Sequence, residues 1–190
     1  MNVQGPVPHM PCWISRIVVV ISVLAMTAPA AAQQPVLENG GIGKVRIGMD
    51  IKEAERTLGV RLRSLVPGYG PGCWLAGRAD GIDPGLSYMV ENGVVTRIDV
   101  VTPPDGPAPA ISTAKGIGIG STRAEVELKY GSNGSNGSSA PAPYGHNDDD
   151  LWVTVETTPA LGIVISLSGG KVVSLWAGRR QSIEYTEACS

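Results

Sequence analysis

Beyond its first 32 residues the sequence offers few side chains able to do bond chemistry. It has one histidine there, His146, followed by Asn147-Asp148-Asp149-Asp150. A Ser-His-Asp relay or a two-histidine zinc site would have to be built on that single residue. The acids after it lack the alternating spacing and the glycine of an EF-hand loop, so they read as solvated side chains rather than a calcium cage. No G-x-S-x-G, P-loop or C-x-x-C occurs, and Gly41-x-Gly43 and Gly116-x-Gly118-x-Gly120 are too short for a phosphate cradle. Glu53, Glu55, Glu125 and Glu127 fall on short helices, where capping and solvation account for them. The expectation is a chain without catalytic residues, metal or cofactor, and so not an enzyme. The chemistry that remains is recognition, carried by Trp74, Met89, Arg97, Trp152 and Trp176, and one covalent tie between Cys73 and Cys189.

The cysteine reading depends on compartment. Arg16 precedes an apolar run from Ile17 to Met26 and then Thr27-Ala28-Pro29-Ala30-Ala31-Ala32, the pattern of a secretory signal peptide. The run falls short of the roughly twenty residues needed to span a bilayer. Cleavage is expected after Ala32, with Ala30 as second choice, and translation starts at Met1 or Met10. Cys12 lies in the segment removed and does not follow the apolar run as a lipid-accepting cysteine would, so no membrane anchor is expected. In an oxidising compartment, periplasmic or extracellular, the remaining pair reads as a disulfide. A loop of that length is worth about 4–5 kcal/mol at most in the chain-entropy view. Arg16 is the only charged residue before Gln33, which leaves 14 Lys and Arg against 17 Asp and Glu. Without a basic cluster, nucleic acid and anionic membrane surfaces are poor partners.

The elements that must position the aromatics are written twice. Ile47-Gly48-Met49-Asp50-Ile51-Lys52-Glu53-Ala54 through Leu58-Gly59 returns 72 positions later as Ile119-Gly120-Ser121-Thr122-Arg123-Ala124-Glu125-Val126 through Tyr130-Gly131. Each reads as a strand end, a glycine turn and a short helix, with Asp50/Glu53 and Thr122/Glu125 as capping boxes and Gly59 and Gly131 as closing residues. Strands are expected at 44–47, 73–76, 86–90 and 94–101, then at 116–119, 151–156, 163–167, 171–177 and 182–185. Asn92-Gly93 and Gly169-Gly170 mark two hairpins 77 positions apart. Residues 33–41 read as a flexible lead-in and 102–110, with four prolines, as a linker. The Ser/Asn/Gly-rich stretch opening 132–150 reads as a flexible loop, and its Asn133 and Asn136 sequons are weak matches. The fold class expected is α+β: two tandem repeats, 42–101 and 111–190, each a short helical element packed on a three- to four-stranded antiparallel sheet. Halves this small bury little alone, so they should share a sheet or pack closely.

Strand parity divides the side chains between two faces. Leu75, Leu86, Tyr88, Val90, Val94, Ile98, Val100, Val153, Ile163, Ile165, Leu167, Leu175 and Ala177 should face the helices. The other face then receives Trp74, Ser87, Met89, Val95, Arg97, Asp99, Trp152, Thr154, Glu156, Ser166, Ser174 and Trp176. Tryptophan and methionine beside arginine, with small hydroxyls between, is the composition of a binding surface. The alternative is that the tail, the 132–150 loop or the other half folds over the tryptophans as a second small core.

The two Ile-Gly-x-[Asp/Thr] turn-and-helix stretches resemble a signature of small exported bacterial proteins. That group includes the tandem-repeat β-lactamase inhibitory protein and the small lipoprotein of the outer-membrane assembly machinery. The resemblance covers about 13 residues per copy and implies a helix laid on an antiparallel sheet whose other face or edge binds a protein. The chain departs from it in lacking a lipid-accepting cysteine and a cysteine pair in each repeat, so no partner or site residue carries over. The function expected is a soluble exported binding module for another envelope or extracellular protein, with cell-wall glycan or small-ligand binding as the alternative and a hydrolase built on His146 third. Thiol titration of the unfolded, unreduced chain from Gln33 onward should find no free cysteine.

Overall fold

The computed structural model describes residues 1–2, 5, 34–67, 72–131, 139–141, 151–155, 158–185 and 189. The expected signal segment, most of the 132–150 loop with His146, and Glu156 lie outside the described residues. The chain divides into two compact units, Met1–Ala32 and Gln33–Ser190, and every strand and helix named below belongs to the second. Its elements run β1 (Val36–Glu38), β2 (Gly41–Ile42), β3 (Val45–Arg46), α1 (Ile51–Leu58), β4 (Leu62–Ser64), β5 (Cys73–Arg78), β6 (Leu86–Glu91) and β7 (Val94–Val101). They continue with β8 (Ser112–Thr113), α2 (Arg123–Tyr130), β9 (Ser139–Pro141), β10 (Leu151–Val155), β11 (Leu161–Ser168), β12 (Lys171–Arg179) and α3 (Arg180–Ile183).

The fold is α+β and mostly sheet. Eight strands form one continuous sheet in the order β4-β5-β6-β7-β12-β11-β10-β9, every pair antiparallel. The seam between the halves is β7 against β12, with Arg97–Val101 opposite Ser174–Gly178. Both central hairpins turn through two residues of positive φ, Asn92 (51°) and Gly93 (80°), then Gly169 (56°) and Gly170 (74°). This is the mirror-image turn that suits the twist of paired strands.

Each hairpin carries a bulge, Thr96 in β7 and Val173 in β12, where two residues oppose one on the partner strand. A glycine turn binds beside each. Gly48 N–H donates to Val95 O (2.8 Å), Val95 N–H to Met49 O (2.9 Å) and Ile51 N–H to Gly93 O (2.9 Å). In the other half Gly120 N–H donates to Val172 O (2.8 Å), Val172 N–H to Ser121 O (2.8 Å) and Arg123 N–H to Gly170 O (2.9 Å). Because β7 and β12 run antiparallel, their first residues lie at opposite ends of the seam. Each of those ends is completed by a glycine turn instead of a strand.

The turns deliver the helices to one face. Thr122 forms the full capping box with Glu125, whereas at α1 the Asp50 carboxylate accepts from Lys52 N–H and the reciprocal bond from Glu53 does not form. Helices of eight residues are unstable alone, and both are held by burial of Ala54, Val126 and Tyr130 in the main core. That core also takes Leu37, Ile42 and Val45 from a small second sheet, ordered β3-β2-β1-β8. The Tyr130 hydroxyl donates to Thr113 Oγ1 at 2.8 Å beneath it, so the buried phenol is satisfied.

Several expectations need correction. Residues 36–38 are not a loose lead-in: β1 pairs antiparallel with β2 and parallel with β8, and Leu37 is fully buried. The strand at 116–119 reduces to a bridge from Gly118 to Ser112. Residues 182–185 are not a strand, because the chain leaves β12 as the helical turn α3. Val95 faces the helices and is fully buried, because Thr96 bulges out and reverses the parity before it. Trp74 also faces the helices: it sits opposite Val90 and packs on the main core, while Leu75 sits opposite Met89. The register with β6 sets the face, and a shift of one residue in the parity exchanges the two sides.

Gly178, next to the seam's end, tests how tightly β12 approaches β7. A Cβ there would lie 2.4 Å from Thr96 O and 2.9 Å from Arg97 Cα, both backbone atoms that cannot swing away. Gly178→Ala should therefore lower stability by about 1–3 kcal/mol, the range for overpacking, read as a shift of the urea midpoint with unchanged slope.

Candidate binding surface

Strand parity leaves the side of the large sheet away from α1 and α2 bare. The structure covers the centre of that side with residues 180–185. After β12, α3 turns back over the sheet and seats Ile183 (1 % exposed) against Trp176 and Val164, with Trp152 packed at the edge. The two indoles meet edge to face, centroids 4.9 Å apart and planes at 81°. Trp176 keeps 7 % of its surface, and its Nε1–H donates to Ile183 O at 2.9 Å. This is the second small core that the sequence left open as the alternative.

Arg97 is the polar anchor of the cover. Its Nε donates to Asp99 Oδ1 at 2.8 Å, and its Nη1 donates to Ser182 O and Tyr185 O, both at 3.1 Å. The guanidinium also lies 5.6 Å from the Trp176 ring centroid, within cation–π range. Ser182 Oγ donates to Glu91 Oε2 at 2.8 Å. The end of the chain is fixed by the Cys73–Cys189 disulfide, with Cα atoms 5.4 Å apart.

Of the residues expected to form an open patch, Met89, Arg97 and Trp176 do share the helix-free face, but they are buried. Trp74 is on the opposite face. Trp152 alone of the five keeps a partly exposed ring on the helix-free side. It lines a cleft of about 180 Å³ with Thr154, Val164, Arg180, Ile183 and Glu184. Arg180 and Glu184 stand 3.8 Å apart at its mouth, both well exposed. The cleft thus has an apolar floor, one indole wall and a rim carrying a hydroxyl and both signs of charge. Arg180, Ile183 and Glu184 escape the sequence reading because it assigns 182–185 to a strand. The available signal was Ile183, a lone aliphatic residue in the polar run Arg179–Tyr185.

A second recess of about 300 Å³ lies at the β4–β5 edge, where Leu65 and Ile82 are exposed beside Arg63 and Arg78. Arg78 is held there by both oxygens of Asp80, at 3.1 and 2.7 Å. Among the described residues no three His, Cys, Asp or Glu side chains converge as a metal site, and no helix is long and apolar enough to cross a membrane.

Asp99 is the strained member of the set. Its Oδ2 is buried without a hydrogen-bond partner, and burial raises its pKa above the ordinary 3.8 against the opposing pull of Arg97.

No family model, curated protein or solved structure matches this chain.

A carboxyl whose pKa is raised on folding binds its proton more tightly in the folded state. Its contribution is full below 3.8 and is lost as pH rises through the raised value. The stability of the wild type relative to Asp99→Asn should therefore increase as the pH is lowered from neutral toward that range. Paired urea titrations at several pH values measure this, and a difference that stays flat or falls on acidification contradicts it.

Proposed function

We propose that the chain from Gln33 onward is a soluble, exported, non-enzymatic binding module that engages another envelope or extracellular protein through the helix-free side of its sheet. The observation that carries this reading is Trp152. Its partly exposed ring sits at the margin of the covered area, beside a cleft whose apolar floor and charged rim match the centre-and-rim anatomy of recognition sites. Export, to a periplasm or beyond the cell, is supported by the N-terminal pattern around Arg16 and Ile17–Met26 and by the disulfide.

The same reading takes the two halves as a duplicated unit, in keeping with the resemblance to the tandem-repeat inhibitory proteins. Its support is the matched set of hydrogen bonds linking each glycine turn to its bulged hairpin. Capped short helices recur by chance. A turn bonded to the residue before a bulge, at the same place in both halves, is a more demanding coincidence.

A second reading, a glycan or other small ligand held against Trp152, is favoured by one observation. A cleft of about 180 Å³ is below the usual 300–1,000 Å³ of drug-sized pockets and suits a single ring.

The two tryptophans separate binding from stability. Trp176→Ala should cost about 3–5 kcal/mol, as for a buried aromatic. Trp152→Ala should cost about 1 kcal/mol, the worth of its edge-to-face contact. An envelope protein retained by the wild-type chain should be released by Trp152→Ala, and an unchanged set of retained proteins would sink the reading. Quenching of tryptophan fluorescence by soluble glycan fragments, lost in Trp152→Ala, would favour the second reading instead.

A further inference from the structure

The cover over the helix-free face is held largely through its main chain. Of its described polar ties, three run from sheet side chains to main-chain carbonyls of the tail: Arg97 to Ser182 O and Tyr185 O, and Trp176 to Ile183 O. Carbonyl oxygens are present in any peptide, so these bonds select for a backbone path and not for a sequence. Among the described residues, side-chain content enters mainly at two places, with Arg180 and Glu184 adding charge at the margin beside Trp152. Ile183 fills the apolar socket made by Trp176 and Val164, and Ser182 donates to Glu91.

The segment has little structure of its own. α3 is a four-residue turn whose N-cap, Arg179, makes no side-chain capping bond, and one isolated turn is not stable in water. It adopts its shape because the face supplies the donors and the socket. Conversely, the face needs an occupant. Without the tail, Arg97 keeps Asp99 and its other donors turn to water, but the apolar surface of Trp176 and Val164 that Ile183 covers is left exposed, and re-covering it is favourable.

We infer that the helix-free face is a peptide-recognition site occupied in cis by residues 180–185. In trans it accepts a short segment of another protein with the same chemistry: one aliphatic anchor in place of Ile183, carbonyls reaching Arg97 and Trp176, and a small hydroxyl residue facing Glu91. Fixed side-chain donors supply affinity through the partner's main chain and one pocket supplies specificity, the division of labour seen in other peptide grooves. The Cys73–Cys189 disulfide keeps the resident segment at high local concentration and so limits access. This deepens the protein-binding reading and rests on it in taking this face as the recognition surface. Because Arg180, Ile183 and Glu184 also line the Trp152 cleft, an arriving segment replaces that part of the cleft wall with its own side chains.

The test uses the full chain from Gln33 with Ile183→Glu and Cys189→Ser, which unseats the tail and unties it. The ligand is a fluorescein-labelled heptapeptide of residues 179–185. Anisotropy should show it binding this variant at least tenfold more tightly than the oxidised wild type, and the same peptide carrying Ile183→Glu should bind at least tenfold more weakly. Equal binding of the two peptides, or none to a variant whose circular dichroism is native, overturns the inference. So does a concentration-dependent dimer of Cys189→Ser in the absence of peptide, which would put a second copy's tail in the site. If the double variant does not fold, Cys189→Ser alone decides. Excess peptide should displace the tail and accelerate amide hydrogen exchange at residues 180–185, and unchanged exchange overturns the inference. Loss of peptide binding while Trp152 still governs retention of an envelope protein would defeat this inference alone. Peptide binding with no Trp152-dependent partner would defeat the broader reading alone.

Discussion

The seam between β7 and β12 is the constraint on which the rest of the molecule depends. Five cross-strand pairs there, from Val101/Ser174 to Arg97/Gly178, turn two four-strand sets into one sheet. The same strands carry both anchors of the far side, Arg97 on β7 and Trp176 on β12. Gly178 permits the close approach, since a side chain at that position would meet the backbone of Thr96 and Arg97. Moving this contact by a few tenths of an ångström would disturb the main core on one face and the tail's docking on the other.

The two faces are stabilised by different physics. On the helix side, aliphatic side chains and two tyrosines bury their surface without net charge, and the hydrophobic term is favourable outright. On the tail side, a buried arginine and aspartate share the space with indole rings. Such a pair returns little net stability after desolvation. What it does supply is direction. Arg97 orients two carbonyls of the tail while Asp99 holds the guanidinium in place, with one carboxylate oxygen left unpaired. The helix side therefore supplies most of the stability, and the tail side fixes one conformation at some energetic cost.

Much of the architecture was readable because it is local. The hairpin turns, the N-caps at Asp50 and Thr122, the parity of β6 and β10–β12 and the pairing of the cysteines all depend on neighbouring residues or on simple arithmetic. The errors arose where a nonlocal contact overrode a local pattern. Thr96 bulges where β7 meets both β6 and the glycine turn, so the residues before it exchange faces with no change in composition to announce it. Trp74 lies on the helix side because its face is set by the pairing with Val90 across β6, a register that a four-residue stretch does not fix by itself. The small sheet uses strands of two or three residues, too short for any periodicity to register. At the candidate surface, the shared face of Met89, Arg97, Trp152 and Trp176 was legible, while Trp74 and the cleft residues Arg180, Ile183 and Glu184 were not. Nor was the cover, since α3 takes its shape from the face it docks on.

The parallel pairing of β1 with β8 carries a consequence for how the molecule comes together. Val36 and Leu37 lie beside Ser112 and Thr113, so β1, already paired with β2, gains its second neighbour only past the middle of the chain. β7 waits likewise for β12. With the earliest segment buried against a late one and the middle strand completed only near the end, neither half contains a finished core. Loop-closure entropy must be met before most native contacts form, which places the chain among slow, topologically complex folders. It also ties the two ends of Gln33–Ser190 into one set of interdependent contacts.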